Sequence, residues 1–170
     1  ANFTPVCTTE LGAVANLSSE FEKRNVKAIG LSVDKIVSHE DWIKDIEETQ
    51  NTKVDFPIIA DSKKEIAGLY DMIHDETDDK LTVRSVYVID PNKKIRLTLT
   101  YPPSAGRSFN EILRVIDSLQ LTSYNQVATP ADWNHGDEVV ILPTLSNEEA
   151  KTKFPQGWNE KKPYLRLTKI

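Results

Sequence analysis

Short apolar runs that alternate with helix-period segments constrain this chain more than any other feature. Residues 26–33 (VKAIGLSV) and 56–60 (FPIIA) read as strands, and Pro57 marks an edge or a strand start. Residues 82–90 (TVRSVYVID) and 95–101, with Ile95, Leu97, Leu99 and Tyr101 on one face, read as a hairpin around Pro91-Asn92. Between them run helical patterns. Thr4 and Pro5 predict an N-cap and first helical residue, and Leu11, Val14, Ala15, Leu17, Ser18 and Phe21 continue one helix toward a C-cap at Asn25. Ser38 with Asp41 predicts a capped helix over 38–51 that buries Trp42, Ile43 and Ile46. Residues 62–71 predict a short helix carrying Ile66, Ala67, Leu69 and Tyr70, and 109–121 the most regular one, with Phe109, Ile112, Leu113, Ile116 and Leu119 on one face. The order helix, strand, helix, strand, helix, hairpin, helix is an α/β pattern.

The character changes after Leu121. Residues 122–136 are polar and irregular, 138–142 read as a strand, 147–154 as a short helix and 163–170 as an extended end. The expected division is therefore 1–121 and a small appended unit, 122–170. The whole has 170 residues, 39% hydrophobic and 28% charged, which suits a folded globular chain. Its formal charge of −5, with no basic block, argues against nucleic acid and anionic membranes as partners. No apolar run reaches the ~20 residues of a membrane span.

Cys7 is the single cysteine. It excludes an internal disulfide, a C-x-x-C pair and a thiolate-cluster metal site, and it points to a reducing, intracellular compartment. The sequons at Asn2 and Asn16 would matter only in a secreted chain. With Thr4 as N-cap, Cys7 lies in the first helical turn, beside unpaired N–H groups and the positive dipole end, where a thiolate is favoured. Bringing a thiol from a pKa of about 8.5 to about 6 takes about 3.4 kcal/mol. A helix start supplies about 1 and at most ~2 kcal/mol. A cation from elsewhere in the fold is needed, and Arg84 and Arg107 are the candidates. On position alone, a small buried hydrophobe is as good a reading of Cys7.

The residues around it resolve the choice. Phe3-Thr4-Pro5-Val6-Cys7-Thr8-Thr9-Glu10-Leu11-Gly12 resembles the peroxidatic loop and helix of the peroxiredoxins, in their one-cysteine, peroxiredoxin-6-like class. The similarity continues through KAIGLSVD with Ser38-His39, FPII, RSVYVIDP, Tyr101-Pro102-Pro103 and Gly106-Arg107 followed by EILRVI. LQLT, VATPADW and the KPYLR ending are similar to the long C-terminal extension of that class, and fungal members are resembled most.

The resemblance implies a thioredoxin-like α/β fold with a C-terminal extension, and a thiol-dependent peroxidase acting on hydrogen peroxide and organic hydroperoxides. It implies that Cys7 is the nucleophile and becomes a sulfenic acid. Thr4 would bind and polarise the peroxide, Arg84 would hold the thiolate and the developing oxyanion, Arg107 would support it, and Glu10 would orient the two arginines. No cofactor is expected. With no second cysteine, an external thiol, glutathione or a thioredoxin system, must reduce the sulfenic acid. A homodimer with residues 122–170 reaching across, and a cytoplasmic or mitochondrial location, are further expectations. The alternative function is a redox-sensitive holdase chaperone or peroxide-signal relay.

Two departures qualify the match. The family's active-site proline would fall one residue before Ala1, and a central strand of its sheet would lie further ahead, so the sequence is expected to be N-terminally incomplete. The phospholipase activity of some class members is not supported: no G-x-S-x-G occurs, and the hairpin turn carries Asn92 where an acid is expected.

His39, Glu40 and Asp41 diverge around a helix and lack an H-x-x-x-H partner, so a solvated helix start is expected there, not a metal site. His74-Asp75-Glu76 with Asp78-Asp79 reads as an exposed acidic loop and His135 as a surface histidine. Trp42, Trp133 and Trp158 read as packing residues.

Overall fold

The computed structural model describes residues 1–73 and 82–170. The acidic loop expected over 74–80 lies outside the described residues. The chain forms two compact units, Ala1–Phe109 and Asn110–Ile170. The helix that opens at Phe109 runs unbroken to Tyr124.

In the first unit, helix α1 (Pro5–Asn16) starts where the sequence places it, with Thr4 extended and Pro5 at the first position. The single helix expected as far as Asn25 does not form. It breaks at Leu17 (φ −98°, ψ 11°), and α2 (Ser18–Lys23) follows. The change of direction lets Phe21 reach the interior, where it is 7% exposed. Asn25 then takes a left-handed conformation (φ 53°) and ends the helical segment.

Strand β1 (Gly30–Ser32) is shorter than the expected 26–33, because it pairs in parallel with only three residues, β2 (Ile58–Ala60), in the register Gly30↔Ile58. Between them α3 (Ile36–Gln50) begins two residues before Ser38. The expected capping box with Asp41 is absent. Ser38 lies inside the helix, and its Oγ accepts from Asn2 Nδ2 at 2.7 Å. Trp42 and Ile46 are fully buried, Ile43 half-buried. His39, expected at a solvated start, is instead 3% exposed, because it shares the inward face with Trp42 three residues on. Burial holds its imidazole below the ordinary value. Helix α4 (Glu65–Leu69) is also shorter than expected; Ala67 is buried but Leu69 is exposed.

Strands β3 (Arg84–Ile89) and β4 (Ile95–Tyr101) form the expected antiparallel hairpin, with Arg84 opposite Tyr101 and Val86 opposite Leu99. Asp90 holds the turn by accepting from the Asn92 and Lys94 N–H groups. Its carboxyl lies below the usual range through the Lys94 amide above all.

The second unit contains α5 (Phe109–Tyr124), which buries Ile112, Leu113 and Ile116 as its periodicity predicts. The region read as irregular contributes β5 (Val127–Ala128) to a four-stranded antiparallel sheet with β6 (Val139–Ile141), β7 (Asn159–Lys162) and β8 (Leu165–Thr168), in the order β5-β6-β8-β7. Helix α6 (Asn147–Lys153) opens on a Ser146–Glu149 capping box. The unit's core is Val127, Trp133, Val139, Ile141, Leu145, Ala150 and Phe154, with Leu121 and Trp158 packed against it. His135 is exposed and stands edge-on to Trp133. No helix among the described residues is long and apolar enough to cross a membrane.

Candidate active site

Cys7 is the third residue of α1, half-buried. Pro5 has no N–H, and the Thr8 amide is the first to close the helix, on the Thr4 carbonyl at 3.0 Å. Thr4 has N-cap geometry, but its hydroxyl caps nothing: it donates to the Ala1 carbonyl at 2.7 Å.

Arg84 reaches this turn from the first residue of β3. Its Nη1 donates to Cys7 Sγ at 3.4 Å and to Glu10 Oε2 at 2.7 Å, and its Nε to the Pro103 carbonyl at 2.9 Å. Nη2 makes no hydrogen bond among the described residues. Arg107 comes from the segment between β4 and α5. Its Nη2 and Nε bind the two oxygens of Glu10 at 2.7 and 3.1 Å, its amide donates to Glu10 Oε1 at 2.9 Å, and its Nη1 to the Ser85 carbonyl at 3.0 Å. Glu10 stands one helical turn after Cys7, 3% exposed. The sequence-predicted residues Thr4, Cys7, Glu10, Arg84 and Arg107 thus converge, but among the described residues Arg107 bonds to Glu10 and the Ser85 carbonyl and not to the sulfur.

Two guanidiniums against one carboxylate leave one positive charge beside Sγ, so a thiolate brings the cluster to neutrality. Burial pushes the Cys7 thiol up, but the Thr4 hydroxyl, the Ala1 ammonium (3.6 Å from Sγ) and the Arg84 guanidinium outweigh it and hold the thiol below its ordinary value. These three are not equivalent. The single Thr4 proton points to the Ala1 carbonyl here and must turn to serve Sγ. An amide ahead of Ala1 would carry no charge. Arg84 is fixed by its bonds to two other groups, Glu10 and the Pro103 carbonyl, and keeps its charge under any of these changes. Burial likewise pushes the Glu10 carboxyl up, and its bonds to Arg107, with the charges of both arginines, bring it below the usual carboxylate range.

No sequence signal marks the carbonyls of Ser85 and Pro103, which fix the two guanidiniums, since backbone groups carry no residue identity. None marks the bond from Trp42 Nε1 to Thr8 Oγ1 at 2.9 Å either. Among the described residues, no group of three His, Cys, Asp or Glu side chains could hold a metal ion.

Residues 1–98 match the AhpC/TSA family, and residues 118–157 match the C-terminal domain of 1-Cys peroxiredoxin. A 1-Cys peroxiredoxin of Dictyostelium discoideum is 54% identical over 167 residues, covering 98% of this chain and 69% of that protein. The mitochondrial peroxiredoxin PRX1 of Saccharomyces cerevisiae is 57% identical over 176 residues, covering 99% of this chain and 67% of the yeast protein. A solved structure of yeast mitochondrial 1-Cys peroxiredoxin superposes with a TM-score of 0.94 at 55% identity, over 100% of this chain and 83% of that one. The fold is accordingly thioredoxin-like, and the chain belongs to the one-cysteine class of the peroxiredoxins, which are thiol peroxidases.

Proposed function

We propose that Cys7 is the peroxidatic nucleophile, acting on hydrogen peroxide and organic hydroperoxides. The observation that carries this is Arg84 Nη1 at 3.4 Å from Sγ with its other bonds made to Glu10 and Pro103. A lone pair of the thiolate attacks one peroxide oxygen, the O–O bond breaks, and the second oxygen leaves with the electron pair. The leaving group takes a proton and departs as water or alcohol, and Cys7 is left as a sulfenic acid. The negative charge moves from sulfur to the leaving oxygen. Arg84 Nη2, which makes no hydrogen bond among the described residues, is the donor available to follow it. Thr4 polarises the peroxide, Glu10 orients both arginines, and Arg107 holds Glu10.

With one cysteine, the sulfenic acid is reduced from outside. A first thiol displaces water to form a mixed disulfide with Cys7, and a second thiol releases Cys7 and leaves as the external disulfide. We assign this step to glutathione or a thioredoxin-type protein. The solved yeast relative supports it: that work concerns thiol resolution through the glutathione and thioredoxin systems. No cofactor takes part. Residues 1–121 supply the peroxidase and 122–170 an arm that reaches across a homodimer. The proposed location is the cytoplasm or the mitochondrion, the latter being the stated compartment of the yeast relative.

The test is peroxide consumption with each reductant in turn. Wild type consumes peroxide far faster than free cysteine, and Cys7→Ser consumes none. Equal consumption by Cys7→Ser would remove Cys7 from the reaction.

A further inference from the structure

Beside the reacting sulfur lies a hydrogen-bond chain that the peroxidase mechanism does not use. Thr8, the residue after Cys7, accepts from Trp42 Nε1 at 2.9 Å and donates from its own Oγ1 to the Thr4 carbonyl at 2.9 Å. The direction is fixed by chemistry. An indole N–H only donates, so the Thr8 oxygen is the acceptor and its single proton goes to Thr4. The Thr4 carbonyl also takes the Thr8 amide at 3.0 Å, so both of its lone pairs are engaged by one residue.

That carbonyl is the first acceptor of α1, and the bond it makes closes the turn that contains Cys7. A threonine in a helix divides between two χ1 states, one of which bonds back to the preceding turn. The indole bond is made in that back-bonded state. Trp42 is itself 2% exposed and cannot follow a moving hydroxyl. Thr9 is the internal contrast. Its Oγ1 makes a similar back-bond to the Val6 carbonyl at 2.8 Å, but Thr9 is exposed, and among the described residues no side chain beyond α1 bonds to it.

We propose that Thr8, with its hydroxyl held by the Trp42 indole, is a positioning residue that ties the first turn of α1 to α3 and so keeps Cys7 Sγ beside Arg84. The inference rests on the role proposed above for Cys7. Pro5 offers no N–H and the N-cap makes no side-chain cap bond, so the two Thr8 bonds to the Thr4 carbonyl are what close this turn. Unwinding by a fraction of a turn carries Sγ away from Nη1, and the attraction that favours the thiolate falls with that distance.

The experiment compares Thr8→Val, Thr8→Ser, Thr9→Val, Trp42→Phe and the Thr8→Val/Trp42→Phe double variant. Each is titrated by thiolate absorbance and assayed for the rate of reaction with hydrogen peroxide across pH. Thr8→Val, close to isosteric, raises the midpoint of the thiolate titration by about half a pH unit or more, which is about a threefold loss of rate below the midpoint. Thr8→Ser restores wild-type behaviour, Thr9→Val leaves it unchanged, and Trp42→Phe moves the midpoint the same way as Thr8→Val. In the double variant the two shifts do not add, as members of one chain require. A Thr8→Val midpoint equal to wild type, equal shifts in Thr8→Val and Thr9→Val, or additive shifts in the double variant would overturn the proposal. A wild type that neither titrates below an ordinary thiol nor outpaces free cysteine would bring down the role of Cys7 itself.

Discussion

At Cys7 the opposing effects are desolvation and charge. Half-burial alone would keep the thiol protonated, and the helix start is too weak to reverse that. Besides the Thr4 hydroxyl and the Ala1 ammonium, the group that lowers it is a guanidinium from β3, 77 residues away in sequence. Arg84→Ala therefore moves the thiolate titration of Cys7 upward. Arg84→Lys recovers only part, because an ammonium lacks the planar fork that serves sulfur, Glu10 and the Pro103 carbonyl together. An unchanged titration in Arg84→Ala would remove the arginine from this role. Glu10→Gln acts differently. It leaves two guanidiniums without their shared carboxylate, and truncating one side of a buried charge cluster costs about 3–5 kcal/mol. Urea unfolding at neutral pH reads this loss directly.

Among the elements, α1 and α3 decide where the sulfur stands. Gly12 is where they meet: a Cβ there would lie 2.4 and 2.5 Å from Gln50 Cγ and Cβ. Gly12→Ala brings about 1 kcal/mol of helix propensity. It also forces overpacking that costs about 1–3 kcal/mol. The expected result is a net loss of stability in thermal or urea unfolding, and a gain would contradict this packing. In the second unit, Ser146→Ala removes the cap of α6 and costs about 1 kcal/mol.

These same elements show what the sequence made legible. The start of α1, the β3–β4 hairpin and the buried face of α5 follow from proline, alternation and periodicity, which are local signals. The break at Leu17, the short β1 and the burial of His39 were not legible, because each depends on which partner an element meets. The same holds for the site. Cys7, Thr4, Glu10, Arg84 and Arg107 could be named from resemblance, and the need for a cation from electrostatics. That Glu10 is the hub joining the arginines' geometry, and that Trp42 reaches Thr8, are tertiary facts with no local pattern.

For the whole molecule, the acid side of its stability is governed in part by Glu10. Its folded carboxyl lies below the ordinary value near 4.5, so the folded state binds fewer protons there than the unfolded state. The stability from that cluster is complete above the ordinary carboxylate range and is lost as pH falls through the lower, folded value. Glu10→Gln should therefore flatten the loss of stability with acidification in that window, read from urea midpoints at successive pH values. An equally steep loss would place the acid sensitivity elsewhere.

The proposed peroxidase reaction requires Cys7 to be an anion before peroxide arrives. Its most direct test is the pH dependence of the bimolecular rate between the reduced protein and hydrogen peroxide. The rate should rise with pH to a plateau, with its half-rise below that of an ordinary thiol and a plateau well above the rate of free cysteine thiolate. A half-rise at the value of free cysteine, or a plateau no higher than that thiolate's own rate, would contradict it.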